Sequence, residues 1–358
     1  MPISFEIKSQ AGTYKVMSAP QILHRMADDM RTGVVIADDY FAPRLLDMKI
    51  PTIALPATEA AKSLDAMGEV IVQMRRRGAT RDTKLWAIGG GVIQDITCFV
   101  ATVYMRGLPW SYVPTTLLGM VDSCIGGKSS INVGPYKNIL GSFHPPEAIW
   151  IDPDLVASLS AAQIVAGLVE AAKICYCRGA DVFADYLSHN PDVGLSPTQF
   201  EPIMALSLGA KKWFIEVDEF DRAERQSLNL GHTFGHALES ASGYRLSHGV
   251  AVGVGIICAL AFSREPTDIA LTGRMAALDR HMRQLLLYVP GLVTILREID
   301  ISAMLERVKS DKKHEPSYYR FVTTGPGGDV CLTRLPRDDV TETRVKSAVT
   351  MSLESLGV

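Results

Sequence analysis

The chain has 358 residues, 47% of them apolar and 21% charged, with a formal net charge of −3. This is an ordinary globular composition, long enough for two domains with their own cores, and the near-neutral balance excludes a strong electrostatic pull toward nucleic acid or an anionic membrane. The six cysteines, scattered at 98, 124, 175, 177, 258 and 331, form no disulfide framework, so the sequence reads as that of a protein kept in a reducing, cytoplasmic compartment.

In chain order, the opening MPISFEIKSQ lacks the charged-then-apolar layout of a signal peptide. GVVIADD at 33–39 reads as a strand ending in acids, and TIALP at 52–56 as a second strand. SLDAMGEVIVQMRRR at 63–77 carries helical spacing in Leu64, Met67, Ile71 and Met74. Arg75, Arg76 and Arg77 then face the negative pole of that helix. KLWAIGGG at 84–91 is a strand running into three glycines, a small-residue helix follows from Val92, and WSYVPTT at 110–116 is the next strand. Alternation of this kind predicts a doubly wound parallel sheet over residues 1–160. At Leu159 the pattern changes. Ser160 and Gln163 form a capping-box signature. Residues 161–358 read as a mostly α-helical second domain, with one short strand pair near YRFVTT and DVCLTRL. The charge-free run Gly249–Phe262 is too short to span a bilayer and reads as a buried helix.

Several segments carry groups with chemical potential. Gly89, Gly90 and Gly91 between strand and helix let backbone N–H groups approach a phosphate, although the same glycines also suit a plain tight turn. Thr115 and Thr116 end the next strand, where ligands of open parallel sheets lie; they could equally cap the following helix. The GGKS core at 126–129 resembles a phosphate loop, but the glycine required five positions before Gly127 is Asp122, so that reading fails. What remains is Asp122, Lys128, Asn132, Asn138 and Lys137, a set suited to a polyhydroxylated, phosphorylated ligand. On the helix opened by Ser160, Ile164, Leu168, Ala171 and Cys175 form an apolar stripe. Glu170 and Lys173 share the opposite face and read as a solvated ion pair, a reading at odds with Ala166 and Gly167 beside them. LNLGHTFGHALE at 228–239 places His232 and His236 four apart on one helical face. Zinc proteases use this spacing with a glutamate after the first histidine; here Thr233 stands there, and the protease reading loses its base. His248 adds a third imidazole within seventeen residues, more than a lone core histidine explains.

In order, GGGVIQD, YMRG, PTTLLGMVDSCIGGKSSIN, KNILGSFHPP, GLVEAAK, LNLGHTFGHALE, HGVAV and DKK resemble the motif set of the dehydroquinate synthase family, among the sugar-phosphate cyclases. PATEAAKSL at 56–64 resembles its NAD-side segment, and the likeness runs from Glu59 to Lys313. The resemblance implies a doubly wound NAD-binding domain followed by a helical metal- and substrate-binding domain. It implies a divalent metal, zinc or cobalt, on Glu170, His232 and His248. It places NAD against Asp39, Glu59, Lys62, Gly90, Gly91, Asp95, Thr115 and Thr116, with Asp122, Lys128 and Lys137 shared between cofactor and substrate. A small phosphorylated sugar acid would meet Asn138, Lys173, Lys211, Arg225, Asn229, His236 and Lys312 as well as Lys128. Of these, Asp122, Lys128, Lys173, Asn229 and His236 would be catalytic. Arg106 would reach the phosphate from the neighbouring subunit of a homodimer. The implied reaction, a step of aromatic amino-acid biosynthesis, oxidises a carbinol with NAD, eliminates phosphate, reduces the ketone again and closes a carbocycle by aldol addition.

The chain departs from the family pattern at Gln94 and Tyr136, where glycine is usual, at Val250, where glutamate is usual, and in a shortened stretch from Lys173 to Lys211. These changes bear on substrate identity. A sister cyclase acting on sedoheptulose 7-phosphate or a hexose phosphate is the first competitor, although cyclitol branches replace the equivalents of Asn229 or His236, both kept here. A metal-dependent NAD polyol dehydrogenase, which would release NADH, is the second.

Overall fold

The computed structural model describes all residues except Met1, Pro135, 265–270, Thr272 and Lys312. The chain divides into two compact units. One holds the chain up to Leu159 together with Ser196–Glu219, and the other holds Ser160–Leu195 and Phe220–Val358. The sequence reading places everything after 160 in the second domain. The helix Pro197–Val217 instead packs in the first unit, where Ser207 Oγ donates to the Val121 carbonyl at 2.8 Å and Lys211 Nζ to that of Asp122 at 2.7 Å.

The first unit is built on a seven-stranded sheet. Its strands are β1 (Ser4–Ser9), β2 (Gly12–Ser18), β3 (Val34–Asp38), β4 (Thr52–Leu55), β5 (Leu85–Gly89) and β6 (Trp110–Pro114), followed, after a small hairpin of β7 (Ile131–Val133) and β8 (Tyr136–Leu140), by β9 (Ala148–Ile151). The order across the sheet is β1-β2-β9-β6-β5-β3-β4. All pairings are parallel except β1 with β2, a hairpin that the sequence reading did not foresee. It turns tightly because Gly12 can take φ +122°. Strands β5 and β6 are buried along their whole length and β3 along all but its last residue. This is why they read as unbroken apolar runs, the mark of a sheet covered on both faces. On one face, Ile22, Leu23, Met30, Leu45, Trp86 and Val113 form the core. The chain leaves β3 outward to β4 and returns on the other side of β3 as β5. The switch point therefore falls at the carboxyl ends of β3 and β5, where open sheets of this kind bind ligands.

The second unit is a helical assembly with one hairpin, β10 (Tyr318–Thr324) against β11 (Val330–Pro336). Its central helix Ala161–Arg178 opens as the sequence predicts. Ser160 N–H donates to Gln163 Oε1 at 2.9 Å, and Gln163 N–H reaches back to Ser160 Oγ. From Ile164 to Tyr176 every residue of this helix is buried, so it has no solvated face, and the reading of Glu170 and Lys173 as an exposed pair is overturned. The helix His248–Arg264 is equally enclosed from Gly249 to Leu260, as an all-round apolar helix must be. It meets the helix His232–Ala241 at glycines. A Cβ on Gly255 would run into the carbonyl of Gly231 and lie 2.7 Å from the Gly235 nitrogen. Phe234, Phe262 and Phe321 join this helix pair to β10, with ring centroids 4.7 to 6.0 Å apart. Among the described residues no helix is long and apolar enough to cross a membrane.

One buried pair makes the second unit sensitive to acid. Tyr186 donates its hydroxyl to the Leu168 carbonyl at 3.1 Å and meets His281 Nε2 at 2.9 Å. Since the phenol proton is used, the neutral imidazole must donate from Nε2. Burial depresses the His281 pKa to about 4, which Asp192 offsets only in part. A folded-state pKa below the ordinary imidazole value gives stability that is complete above pH ~6.5 and lost as pH falls toward 4, by up to about 3 kcal/mol. The unfolding free energy should fall over this window, and His281→Gln, which keeps a donor but does not titrate, should flatten that part of the pH profile in denaturant titrations.

Candidate active site

In the first unit the carboxyl ends of three neighbouring strands carry residues expected at a nucleotide. Asp39 follows β3, Gly90 and Gly91 follow β5, and Thr115 and Thr116 follow β6. Gly90 is the N-cap of the helix Gly91–Val103, and a Cβ there would stand 3.0 Å from Thr116 Cγ2, so the glycine is needed for close approach. Thr116 Oγ1 accepts from Gly119 N–H at 3.1 Å, so the capping role is filled for this hydroxyl. Beside this edge lies a polar network. Lys62 Nζ, buried, donates to Asp95 Oδ2 and Asn138 Oδ1, each at 3.0 Å, and to Ser130 Oγ at 3.4 Å. Asp95 also accepts from Ser130 N–H and Oγ. Burial pushes the Asp95 carboxyl up, and Lys62 draws it back. Glu59 Oε2 takes Asn132 Nδ2 at 3.0 Å and pairs with Lys137 at 3.6 Å, and Asn132 Oδ1 accepts from Asn138 N–H. The fold thus gathers Glu59, Lys62, Asp95, Lys137 and Asn138 into one cluster from three separate segments. Asp122 pairs with Lys211 at 2.5 Å, and Lys128 Nζ lies over the Phe143 ring.

Gln94, one of the departures, is buried in the same region. Its Nε2 donates to the Ser123 carbonyl at 2.7 Å and its Oε1 accepts from Ser123 Oγ at 2.8 Å, so its amide pins the turn that carries Asp122. Tyr136 lies exposed on β8, while Val250 is buried in the helix His248–Arg264. Arg106 is exposed on the turn Tyr104–Arg106, where Met105 and Arg106 both take positive φ (48° and 74°).

The second unit brings together the other expected groups. Glu170 has no exposed surface. Lys173 pairs with its Oε2 one turn along. Its Oε1 lies 3.5 Å from His248 Nε2 and 3.9 Å from His232 Nε2. The ligand atoms of His232, His236 and His248 all lie within 4.8 Å of one another. Burial, and then the Lys173 charge and the neighbouring imidazoles, hold His232 well below its usual pKa, so it is neutral, as a metal ligand must be. A buried carboxylate whose Oε1 faces two of the clustered imidazoles fits a divalent ion that keeps an open position. Arg225 is buried on the 3-10 helix Glu224–Asn229, which also carries Asn229. Asn229 Oδ1 accepts from Lys313 Nζ at 2.8 Å. Lys313 is a residue the sequence reading passed over for its neighbour Lys312, which lies outside the described residues. Glu239 was also left without a role. Its Oε2 sits 3.4 Å from His248 Nδ1; its position seven residues after His232, on the face of both helix histidines, was the available signal.

Residues 52–166 match the family model of the 3-dehydroquinate synthase N-terminal domain, and residues 167–314 match that of the C-terminal domain. A 3-dehydroquinate synthase of Xylella fastidiosa (strain M12) is 36% identical over 335 residues, covering 86% of this chain and 89% of that protein. Among solved structures, 2-deoxy-scyllo-inosose synthase complexed with carbaglucose-6-phosphate, NAD+ and Co2+ shares the fold with a TM-score of 0.84 at 20% identity, over 98% of this chain and 99% of that one. The 2-epi-5-epi-valiolone synthase of Streptomyces hygroscopicus subsp. jinggangensis 5008, with NAD+ and Zn2+ bound, does so with a TM-score of 0.79 at 24% identity, over 96% and 97%. The protein is thus a cyclase of the phosphate-eliminating, carbon–oxygen lyase class. The chain belongs to the 3-dehydroquinate synthase family.

Proposed function

We propose that the protein converts a seven-carbon keto-acid sugar phosphate to 3-dehydroquinate, with NAD on the first unit and one zinc ion on Glu170, His232 and His248. The observation that carries the carboxylated substrate is Arg225, a buried guanidinium four residues before Asn229. Its planar fork suits a carboxylate. The metal would polarise the hydroxyl being oxidised, and NAD would take up a hydride and return it within each turnover. The chain's own residues hold the anions and move protons. Lys128, Lys211 and Lys313 offer ammonium groups to carboxylate and phosphate, Asn229 orients Lys313, and His236, exposed beside His232, supplies an imidazole for proton transfer. Asp39, immediately after β3, would meet the ribose of a nucleotide bound at the switch point. Arg106 stands at the far end of the helix that begins at Gly91, roughly 20 Å along its axis. By the family resemblance it would serve the site of a second copy, in a homodimer. All six cysteines are free thiols, which suits the cytoplasm.

The test compares the keto-acid phosphate with sedoheptulose 7-phosphate, following free phosphate, product mass and NADH absorbance. A charge-assisted pair left without its anion costs about 1.5–3 kcal/mol, so the keto acid should react faster by roughly tenfold or more, with no NADH accumulating. Faster phosphate release from sedoheptulose 7-phosphate would make the enzyme a cyclitol synthase. Stoichiometric NADH would make it a polyol dehydrogenase.

A further inference from the structure

Glu239 has no part in the reading above. It stands on the helix His232–Ala241, three residues after His236 and seven after His232, so the helix aims all three along one face. Its Oε2 lies 3.4 Å from Nδ1 of His248, while Nε2 of the same ring lies 3.5 Å from Glu170 Oε1. Two carboxylates from two different helices therefore take the two nitrogens of one imidazole. His248 is the first residue of its helix and its side chain is 38% exposed, so packing alone does not fix the ring.

We propose that Glu239 is the positioning residue of His248: its carboxylate accepts the Nδ1–H proton, which sets the tautomer and turns the Nε2 lone pair toward Glu170 and His232. The inference rests on the reading of Glu170, His232 and His248 as ligands of a divalent ion. A carboxylate behind a ligating imidazole both orients the ring and raises its basicity, and loss of such a partner typically weakens metal binding 10- to 100-fold. Glu239 acts on the ion through His248 in this arrangement. That separates it from a fourth ligand, whose removal would act as severely as removal of His248 itself.

The experiment is a metal titration of the metal-free protein with Zn2+ against a competing chelator, and with Co2+ by absorption, on the wild type and on Glu239→Ala, Glu239→Gln and His248→Ala. Thermal unfolding of the metal-free forms shows whether each variant is folded. The expected result is that Glu239→Ala stays folded and still takes one ion per chain, with a Kd about 10- to 100-fold weaker and a Co2+ spectrum of unchanged coordination number. Glu239→Gln, whose amide oxygen still accepts Nδ1–H without the charge, should fall between it and the wild type. An unchanged Kd for Glu239→Ala, with His248→Ala metal-free, would overturn the inference alone. Complete metal loss in Glu239→Gln, equal to His248→Ala, would overturn it by making Glu239 a direct ligand. Full metal binding by His248→Ala would overturn the ligand reading, and this inference with it.

Discussion

Glu170→Gln is expected to bind no divalent ion and to lose at least about 10³-fold in phosphate release, because the proposed site then lacks both its carboxylate and the charge stabilisation the ion would supply. The same change should cost stability even without metal. Glu170 and Lys173 form an ion pair with almost no exposed surface, on a helix buried from Ile164 to Tyr176. Removing one partner takes the carboxylate away from a buried ammonium, a change worth about 3–5 kcal/mol, whereas replacing both partners by apolar residues of similar volume is nearly neutral or stabilising. Urea unfolding of the metal-free protein should therefore show a large loss for Glu170→Gln. The double change Glu170→Met with Lys173→Met should recover the stability while staying metal-free and inactive. A Glu170→Gln protein with one ion per chain would contradict the assignment of this carboxylate.

Gly255→Ala is expected to damage the same centre without touching a polar group. The new Cβ would meet backbone atoms, the Gly231 carbonyl and the Gly235 amide, and backbone cannot swing aside as a side-chain tip can. The helix His232–Ala241 must then back away from the helix His248–Arg264, carrying His232 and His236 with it. Overpacking of this kind costs about 1–3 kcal/mol. The Zn2+ affinity should fall by roughly tenfold or more, because ligand geometry is held to a fraction of an ångström in a working site. Gly253→Ala is the control. Its Cβ would press on the side chains of Val169 at 3.1 Å and Leu286 at 3.4 Å, which can yield, so its metal affinity should stay near that of the wild type. Equal metal binding by the two variants would show that the glycine crossing does not set the histidine spacing.

Much of this arrangement could be read from residue order. Apolar runs at 34–38, 85–89 and 110–114 gave the parallel strands, because a sheet covered on both faces needs no alternation. Ser160 with Gln163 marked the start of the central helix, and the four-residue spacing of His232 and His236 marked a shared face. The burial of Glu170 and Lys173 was not legible. A helix enclosed on every side shows little periodicity to distinguish a solvated stripe from a functional one, and only Ala166 and Gly167 hinted at the difference. The gathering of Lys62, Asp95, Ser130 and Asn138 depends on which loop tops lie side by side, which spacing along the chain does not encode. Glu239 was on the correct helical face but its partner, His248, belongs to the next helix. The role of Lys313 could not be told from that of its neighbour by motif alone. The helix Pro197–Val217 shows no composition change that marks it as belonging with the sheet.

That helix has a consequence for how the protein is made. The sheet is synthesised first, and its last strand, β9, is finished at Ile151. The first unit nevertheless remains incomplete until the ribosome has passed Glu219, after the central helix of the other unit has already emerged. At the usual ~5–20 residues per second this is a wait of several seconds, during which Asp122 is without its lysine and the face that the helix will cover is open to the cell. The two units cannot mature one after the other like beads on a string. Their folding is interleaved by the order of synthesis, with Lys211 arriving only near the end of that interval.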